Sequence, residues 1–541
     1  MVADPAKLKF LPMKNLFLKP SAAALAVLLL TGGCTKEFDD INTNPSTYTQ
    51  SSFDANYLLT TAQLGYTGSS DFAYDTWRAN LIYSSTLIQG LSTVVGYWAG
   101  DKYLLNEAYT AAYWGGNTVG AYAEQVKPVT DMVQFTKDKA QYKNLHQIGR
   151  IMRALIMERL TDLYGDVPYT EAGMGYYTGI ITPKYDKQQD IYNDLLKEVE
   201  EATAALDPAA DVPTGDVYYH GNIAQWQRLG NTLLLRIAMR LTKVDPAKAQ
   251  AYATKVQGKT MKDNGDNALV MHDVAGARVT QNRNSQVLLG DGGQEHYYVK
   301  WSQTFIDYLK ANNDPRLSKI AVTQLYLSDG SKTQNTAAVS DAAAQKGMPN
   351  GKDLSGRAGF DISGAANYTT FPAYSSPSPG MIKRTGPTFV LTYAESELLL
   401  AEAAQRWGLG SAAAHYNAGV TAANTYLSQY DAALTIAPAE VSTYLTAHPY
   451  SAGAGLEMIN TQYWALTNTM LDFYESWANW RRSGFPVLTP VVYPNNATNG
   501  QIPRRFPYPT TEITSNPVNY KAAHDAVPGG DNLIGRVWWD K

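Results

Sequence analysis

Five stretches of this 541-residue chain repeat apolar side chains at three- and four-residue steps, while the long intervals between them do not. In 146–164 the series is Ile148, Ile151, Met152, Leu155, Leu160 and Leu163. After Asp186, a candidate helix cap, it is Ile191, Leu195, Val199, Ala202 and Leu206, and then Trp226, Leu229, Leu233, Ile237 and Leu241. That spacing gathers the apolar groups on one stripe of an α-helix, and such a stripe is stable only against another element. A further pair, 393–407 and 411–427, is joined by Gly408-Leu409-Gly410, where Gly408 suits the left-handed residue that ends a helix. Trp226 follows Ile191 by 35 residues, close to the tetratricopeptide period of about 34. By contrast, 261–390, 429–455 and 484–541 are rich in Gly, Ser, Asn, Asp and Pro and carry few periodic runs. Irregular segments of that length are usually functional. No crisp repeat signature accompanies these helix pairs, and the expected architecture is mostly α, a helical scaffold carrying a large irregular, loop-rich lobe. No Pro-rich linker separates the two, so residues 46–541 are expected to fold as one interleaved unit.

Composition narrows the function. A net charge of -4 and no basic stripe exclude a nucleic-acid binder. Only 17% of residues are charged, whereas Tyr (37) and Trp (11) are abundant. Such a surface hydrogen-bonds and stacks on neutral ligands. The single cysteine, Cys34, allows no internal disulfide, and no Cys/His zinc spacing exists.

The N-terminus reads as an address. Lys14 and Lys19 follow Met13, and Ser21 to Leu30 form an apolar run too short to span a bilayer. The run ends in Leu30-Thr31-Gly32-Gly33-Cys34, which resembles a bacterial lipobox, with Thr31 where a Leu usually stands and Leu30 one step back. Residues 1–33 are therefore read as a signal segment, in which 1–12 precede the plausible start at Met13 as an upstream start or an extension. Cys34 is the expected lipidation site and 34–45 a lipidated tether; the alternative is a buried structural cysteine. Two or three acyl chains at about 0.8 kcal/mol per buried CH₂ hold a soluble domain firmly on a membrane.

Several motifs, in order, resemble the SusD/RagB family of outer-membrane nutrient-binding lipoproteins, in its SusD-like branch. They are Leu163-Tyr164-Gly165-Asp166-Val167-Pro168-Tyr169; Tyr185-Asp186 with Gln189 and Ile191-Tyr192; Leu391-Thr392-Tyr393-Ala394-Glu395 running to Ala401-Glu402-Ala403; and Tyr416-Asn417-Ala418-Gly419-Val420. Most telling are Glu475-Ser476-Trp477-Ala478-Asn479-Trp480-Arg481-Arg482-Ser483-Gly484-Phe485-Pro486, then Ile502-Pro503-Arg504-Arg505-Phe506-Pro507-Tyr508-Pro509 with Glu512, and Val537-Trp538-Trp539-Asp540-Lys541 at the end. The resemblance implies a tetratricopeptide-like platform on the cell surface, acting as a lid for a SusC-like TonB-dependent barrel. It also implies an oligosaccharide ligand, or in some members a peptide, with no cofactor.

Candidate ligand contacts are aromatics beside glycines and polar groups. Tyr97 and Trp98 in Gly96-Tyr97-Trp98-Ala99-Gly100-Asp101 come first, then Trp114 before Gly115-Gly116-Asn117, then Tyr298 and Trp301 after His296-Tyr297. For each the competing reading is packing, because an aromatic beside Gly often lets two backbones approach. Trp226, Trp407, Trp477 and Trp480 lie on helical patterns and are assigned to packing. Arg481, Arg482, Arg504 and Arg505 are expected to pin the C-terminal segment through carboxylates and carbonyls rather than to bind anions. Acids at Asp263, Asp266, Asp291 and Asp314 lack the order of a calcium loop, so no metal is expected. HExxH, GxSxG and GxxxxGK[ST] are absent, and no catalytic residue is assigned. A glycoside hydrolase, with two carboxylates flanking the bond, is the enzymatic alternative.

Overall fold

Helices form where the apolar stripes and their caps coincide. The computed structural model describes residues 53–71, 73–115 and 119–541. The signal segment, Cys34 and the tether lie outside the described residues. Helices α1 (Asn56–Tyr66), α2 (Lys127–Thr136), α3 (Lys143–Tyr164), α4 (Gln188–Ala205), α5 (Ile223–Arg240) and α6 (Pro246–Val256) each pack on the next. Since α4 and α5 are direct neighbours, the 35-residue spacing read from Ile191 to Trp226 separates adjacent helices, not successive repeats. After α7 (Gln303–Ala311), helix α8 (Tyr393–Trp407) packs on α5 and on α9 (Ala412–Thr425). Then α10 (Pro438–Ala447), α11 (Gly455–Met470) and α12 (Phe473–Ser483) follow; α11 seats on α8, and α12 returns to α3. The chain's last helix of this size is α13 (Pro517–Asp525). Residues 55–541 form one unit of contacts. The mostly α, tetratricopeptide-like architecture is present. No helix among the described residues is long and apolar enough to cross a membrane.

Caps set the boundaries. The Asn222 side chain accepts from the Gln225 amide to start α5, and Ser411 does the same for α9 through Ala414. Thr392 and Glu395 form a reciprocal capping box on α8, which ends at Gly408 with φ 69°, the left-handed conformation expected there. Asp186 does not cap α4. It sits in a strand, and its carboxylate accepts from the Tyr169 and Thr170 amides, while the Gln188 amide reaches Asp166 Oδ1 at 2.8 Å. A carboxylate twenty-two residues upstream thus takes the place of the local cap.

Between the helices lie buried ion pairs. Arg482 forks onto Glu402 with two 2.7 Å bonds. Arg236 pairs with Glu158 at 2.5 Å, and Arg240 with Asp162 at 3.0 Å and with Glu475. Burial alone would raise the Glu402 carboxyl; the guanidiniums of Arg482 and Arg406 outweigh it and hold the group at about 2. The other arginines of that motif bind as expected. Arg481 Nη1 donates to the carbonyls of Asp162 and Arg504, Arg504 pairs with Asp540, and Arg505 pairs with Asp531 while donating to the Tyr164 carbonyl. Of the tryptophans assigned to packing, Trp226, Trp477 and Trp480 are buried, and Trp407, the last residue of α8, is half-buried.

Four two-stranded antiparallel ribbons stitch segments between the helices. They pair β1 (Leu91–Thr93) with β5 (Val299–Trp301), β2 (Val167–Pro168) with β3 (Tyr185–Asp186), β4 (Ala268–Met271) with β8 (Pro387–Leu391), and β6 (Ala321–Val322) with β7 (Ser376–Pro377). The β1–β5 register sets Leu91 opposite Trp301, Ser92 opposite Lys300 and Thr93 opposite Val299. That ribbon carries the first and third aromatic candidates out of the scaffold side by side.

Candidate functional site

Beyond Thr93 the chain continues as Val94–Tyr97, and the helical turn Glu295–Tyr298 precedes Val299; Tyr97 and Glu295 meet beside Trp77. Tyr97 Oη and Trp77 Nε1 both donate to Glu295 Oε1, the indole at 3.0 Å. The Tyr97 and Trp77 rings meet edge to face at 6.4 Å. Burial and the Glu295 carboxylate push the Tyr97 hydroxyl up, so it remains a neutral donor. The ring stays 39% exposed.

Arg78 lies flat against this cluster, 3.8 Å from the Trp77 ring centre and 4.4 Å from that of Tyr109. Its Nε and Nη1 are shielded from water and have no hydrogen-bond partner, and Glu295 Oε2 is in the same condition. Buried polar groups left unpaired cost about 1–3 kcal/mol each unless something else satisfies them. Gly292 permits the arrangement, since a Cβ there would stand 2.2 Å from the Trp77 ring.

On the far side, the Tyr297, Tyr298 and Phe371 rings pack with centres 4.9–5.4 Å apart. Tyr298 Oη donates to Asp329 Oδ2 at 3.2 Å, and burial with that carboxylate raises its hydroxyl. Tyr97 and Tyr298 therefore present partly exposed rings from the same ribbon end. Beneath them Lys300 is fully buried. Its ammonium donates to Ser376 Oγ at 2.9 Å, lies 5.4 Å from the Phe371 ring, and is lowered by burial to about 7.

The other candidates stand differently. Trp98 and Trp301 are 0% exposed, so their rings face protein. Trp301 stacks near Phe305 and donates to the Ile320 carbonyl at 2.9 Å, whereas Trp98 Nε1 has no partner. Trp114 belongs to another cluster. It is 6% exposed, stacks on Tyr185 at 5.7 Å, and its edge lines a cavity of ≈ 410 Å³. Sequence reasoning missed Trp77, Arg78 and Glu295. Their only local signal is a Trp-Arg pair and an acid beside His296-Tyr297-Tyr298; their meeting spans 218 residues. No group of metal-ligating side chains occurs among the described residues.

Comparisons with known proteins agree with this architecture. The family model described as starch-binding associating with outer membrane, SusD-like, matches residues 51–509. A solved structure of a chitin-binding protein superposes with TM-score 0.77 at 34% identity, covering 90% of this chain and all of that one. A Bacteroidetes SusD-like protein gives 0.76 at 26% identity, also over 90% and 100%. A SusD homolog from Bacteroides uniformis gives 0.71 at 23% over the same shares and shares the fold. No curated protein matches.

Proposed function

The chain belongs to the SusD-like family of binding proteins associated with the outer membrane, and from that premise we propose that it is a cell-surface lipoprotein that captures nutrient oligomers on the Tyr97–Tyr298 shelf. Acylation at Cys34 anchors it, and a SusC-like TonB-dependent barrel receives the cargo. The observation that supports the reading is the partly exposed Tyr97 ring, held by Glu295 and set edge to face against Trp77, with the partly exposed Tyr298 three residues beyond Glu295. Aromatic faces hold sugar C–H surfaces, and polar groups at their edges fix hydroxyls or amides.

A glycan is favoured over a peptide because the relative at 34% identity is a chitin-binding protein. N-acetylated amino-sugar oligomers offer apolar ring faces to stack and an amide that both donates and accepts hydrogen bonds. A peptide backbone offers the same pair of groups and is the second reading. Hydrolysis is not expected, since Glu295 Oε1 already accepts two hydrogen bonds from the protein.

Titration calorimetry with chito-oligosaccharides, malto-oligosaccharides and short peptides tests this, with saturable glycan binding expected and no new reducing ends on incubation. Absence of binding to every oligomer would sink the receptor reading, and steady release of reducing ends would replace it with the hydrolase.

A further inference from the structure

Away from the ribbon, the cavity beside Trp114 holds a carboxylate, Glu512, that pairs with no cation among the described residues. The cavity is ≈ 410 Å³, within the range of small-molecule sites of roughly 300–1,000 Å³. The Trp114 and Tyr122 side chains form one wall, and Gly115 and Gly120 bring bare backbone to it. Ile181, 86% exposed, stands on the rim. Glu512 is the charged residue of the lining.

Two neutral hydroxyls fix that carboxylate. Tyr185 donates to Oε2 at 2.7 Å, and the Ser515 hydroxyl is shared between Oε1 at 3.2 Å and the Thr511 carbonyl at 3.1 Å. Tyr185 is itself stacked behind Trp114, so the indole and the carboxylate are positioned by one side chain. The lysines near in the fold are committed elsewhere, Lys184 to Asp186 at 3.3 Å and Lys187 to Asp166 at 2.8 Å. A carboxylate oxygen has room for about two hydrogen bonds, so each Glu512 oxygen keeps a place for one more donor. An unbalanced negative charge beside aromatic faces attracts an organic cation through both ion pairing and the ring quadrupole. A neutral ligand would strip water from the carboxylate without compensating its charge.

We propose that the Trp114–Glu512 cavity binds a protonated primary amine on a small polar body, the chemistry of a free amino sugar. The site shares no residue with the Tyr97–Tyr298 shelf and does not depend on what that shelf holds. The ammonium bonds the free lone pairs of Glu512, and the carbon skeleton lies against Trp114 and Tyr122.

The test uses glucosamine and its neutral counterpart N-acetylglucosamine, titrated by calorimetry and by tryptophan fluorescence at pH 6.5. Glucosamine is expected to bind saturably and at least tenfold more tightly than N-acetylglucosamine. Glu512→Gln should weaken it at least tenfold, and Tyr97→Ala should leave it unchanged. Ile181→Arg puts a fixed cation on the rim at an exposed position and should also weaken it at least tenfold. The proposal is overturned by no saturable glucosamine binding, by equal binding of the two sugars, or by loss of binding in Tyr97→Ala. Unchanged binding in a folded Glu512→Gln protein overturns it too; should that variant fail to fold, unchanged binding in Ile181→Arg does so.

Discussion

The helical scaffold and the ribbon end treat buried charges differently. Between α3, α5, α8 and α12, guanidiniums meet carboxylates with full geometry, as in Arg482–Glu402, Arg236–Glu158 and Arg240–Asp162. Nitrogens left over there belong to arginines whose other donors are already bound, such as Arg481 and Arg505. At the ribbon end, Arg78, Glu295 and Trp98 keep unpartnered atoms, and Lys300 is buried with no carboxylate beside it. The scaffold also leaves neutral groups unpaired, such as Thr203 Oγ1, Ser396 Oγ, Asn424 Oδ1 and Asn468 Nδ2, so the contrast lies in the charged groups. Charges that serve the scaffold are paired within it, whereas those at the ribbon end are held without a counter-charge.

Breaking the scaffold side should cost the most. Arg482→Met strands a buried Glu402 and should destabilise the protein by about 3–5 kcal/mol, seen as a large fall in Tm by calorimetry. The pH dependence has a defined sign. Glu402 titrates at about 2 in the fold against 4.5 ordinarily. Its contribution is therefore whole above its unfolded value and lost as pH falls toward 2. Glu402→Gln should flatten acid unfolding between those values; an unchanged acid limb would show that the pair does not govern it. Trp98→Ala belongs with these in size, about 3–5 kcal/mol, because its ring is core rather than ligand surface.

Lys300 sharpens the comparison, because removing it should help. Its folded value of about 7 against 10.5 means that the native state pays for the charge at low pH and sheds the proton above 7. Wild-type stability should thus rise between those values as pH increases. Lys300→Met should stabilise at pH 6 by at most about 5 kcal/mol at 1.36 kcal/mol per unit. The lost bond to Ser376 takes back about 1 kcal/mol. Thermal melts at pH 6 and pH 9 should show the gain shrinking at the higher pH; an equal gain at both would mean that the ammonium is not the source of the strain.

The same contrast explains what a single sequence discloses. Scaffold helices were legible because Ile148–Leu163 and Trp226–Leu241 repeat with the helical period, and because Gly408 punctuates the 393–407 helix locally. Helices α7, α10 and α13 were not, since they are short and lie inside segments whose Gly, Asn and Pro content reads as loop. At the site, Tyr97 and Tyr298 stood out as aromatics beside polar residues, but nothing local distinguishes exposed Tyr97 from buried Trp98. That difference arises when β1 pairs with β5, a contact between residues about two hundred positions apart. Arg78 and Glu295 were hidden for the same reason, and Asp186 was misread because a distant aspartate supplied its cap.

The smallest effects fall on the ligand shelf and leave the fold alone. Tyr97→Ala and Tyr298→Ala should each weaken oligomer binding by roughly 1–3 kcal/mol, by analogy with stacking on other flat partners, in a protein that still folds. Tyr97→Phe separates the ring from its hydroxyl. The hydroxyl is engaged with Glu295 rather than free for a ligand, so the Phe variant keeps the stacking face and loses one internal hydrogen bond. Calorimetry should therefore find an affinity close to wild type, while the lost internal hydrogen bond lowers stability by about 0.5–1.5 kcal/mol. A Phe variant as weak as Ala would mean that the hydroxyl, through its hold on Glu295, does what is here ascribed to the aromatic face.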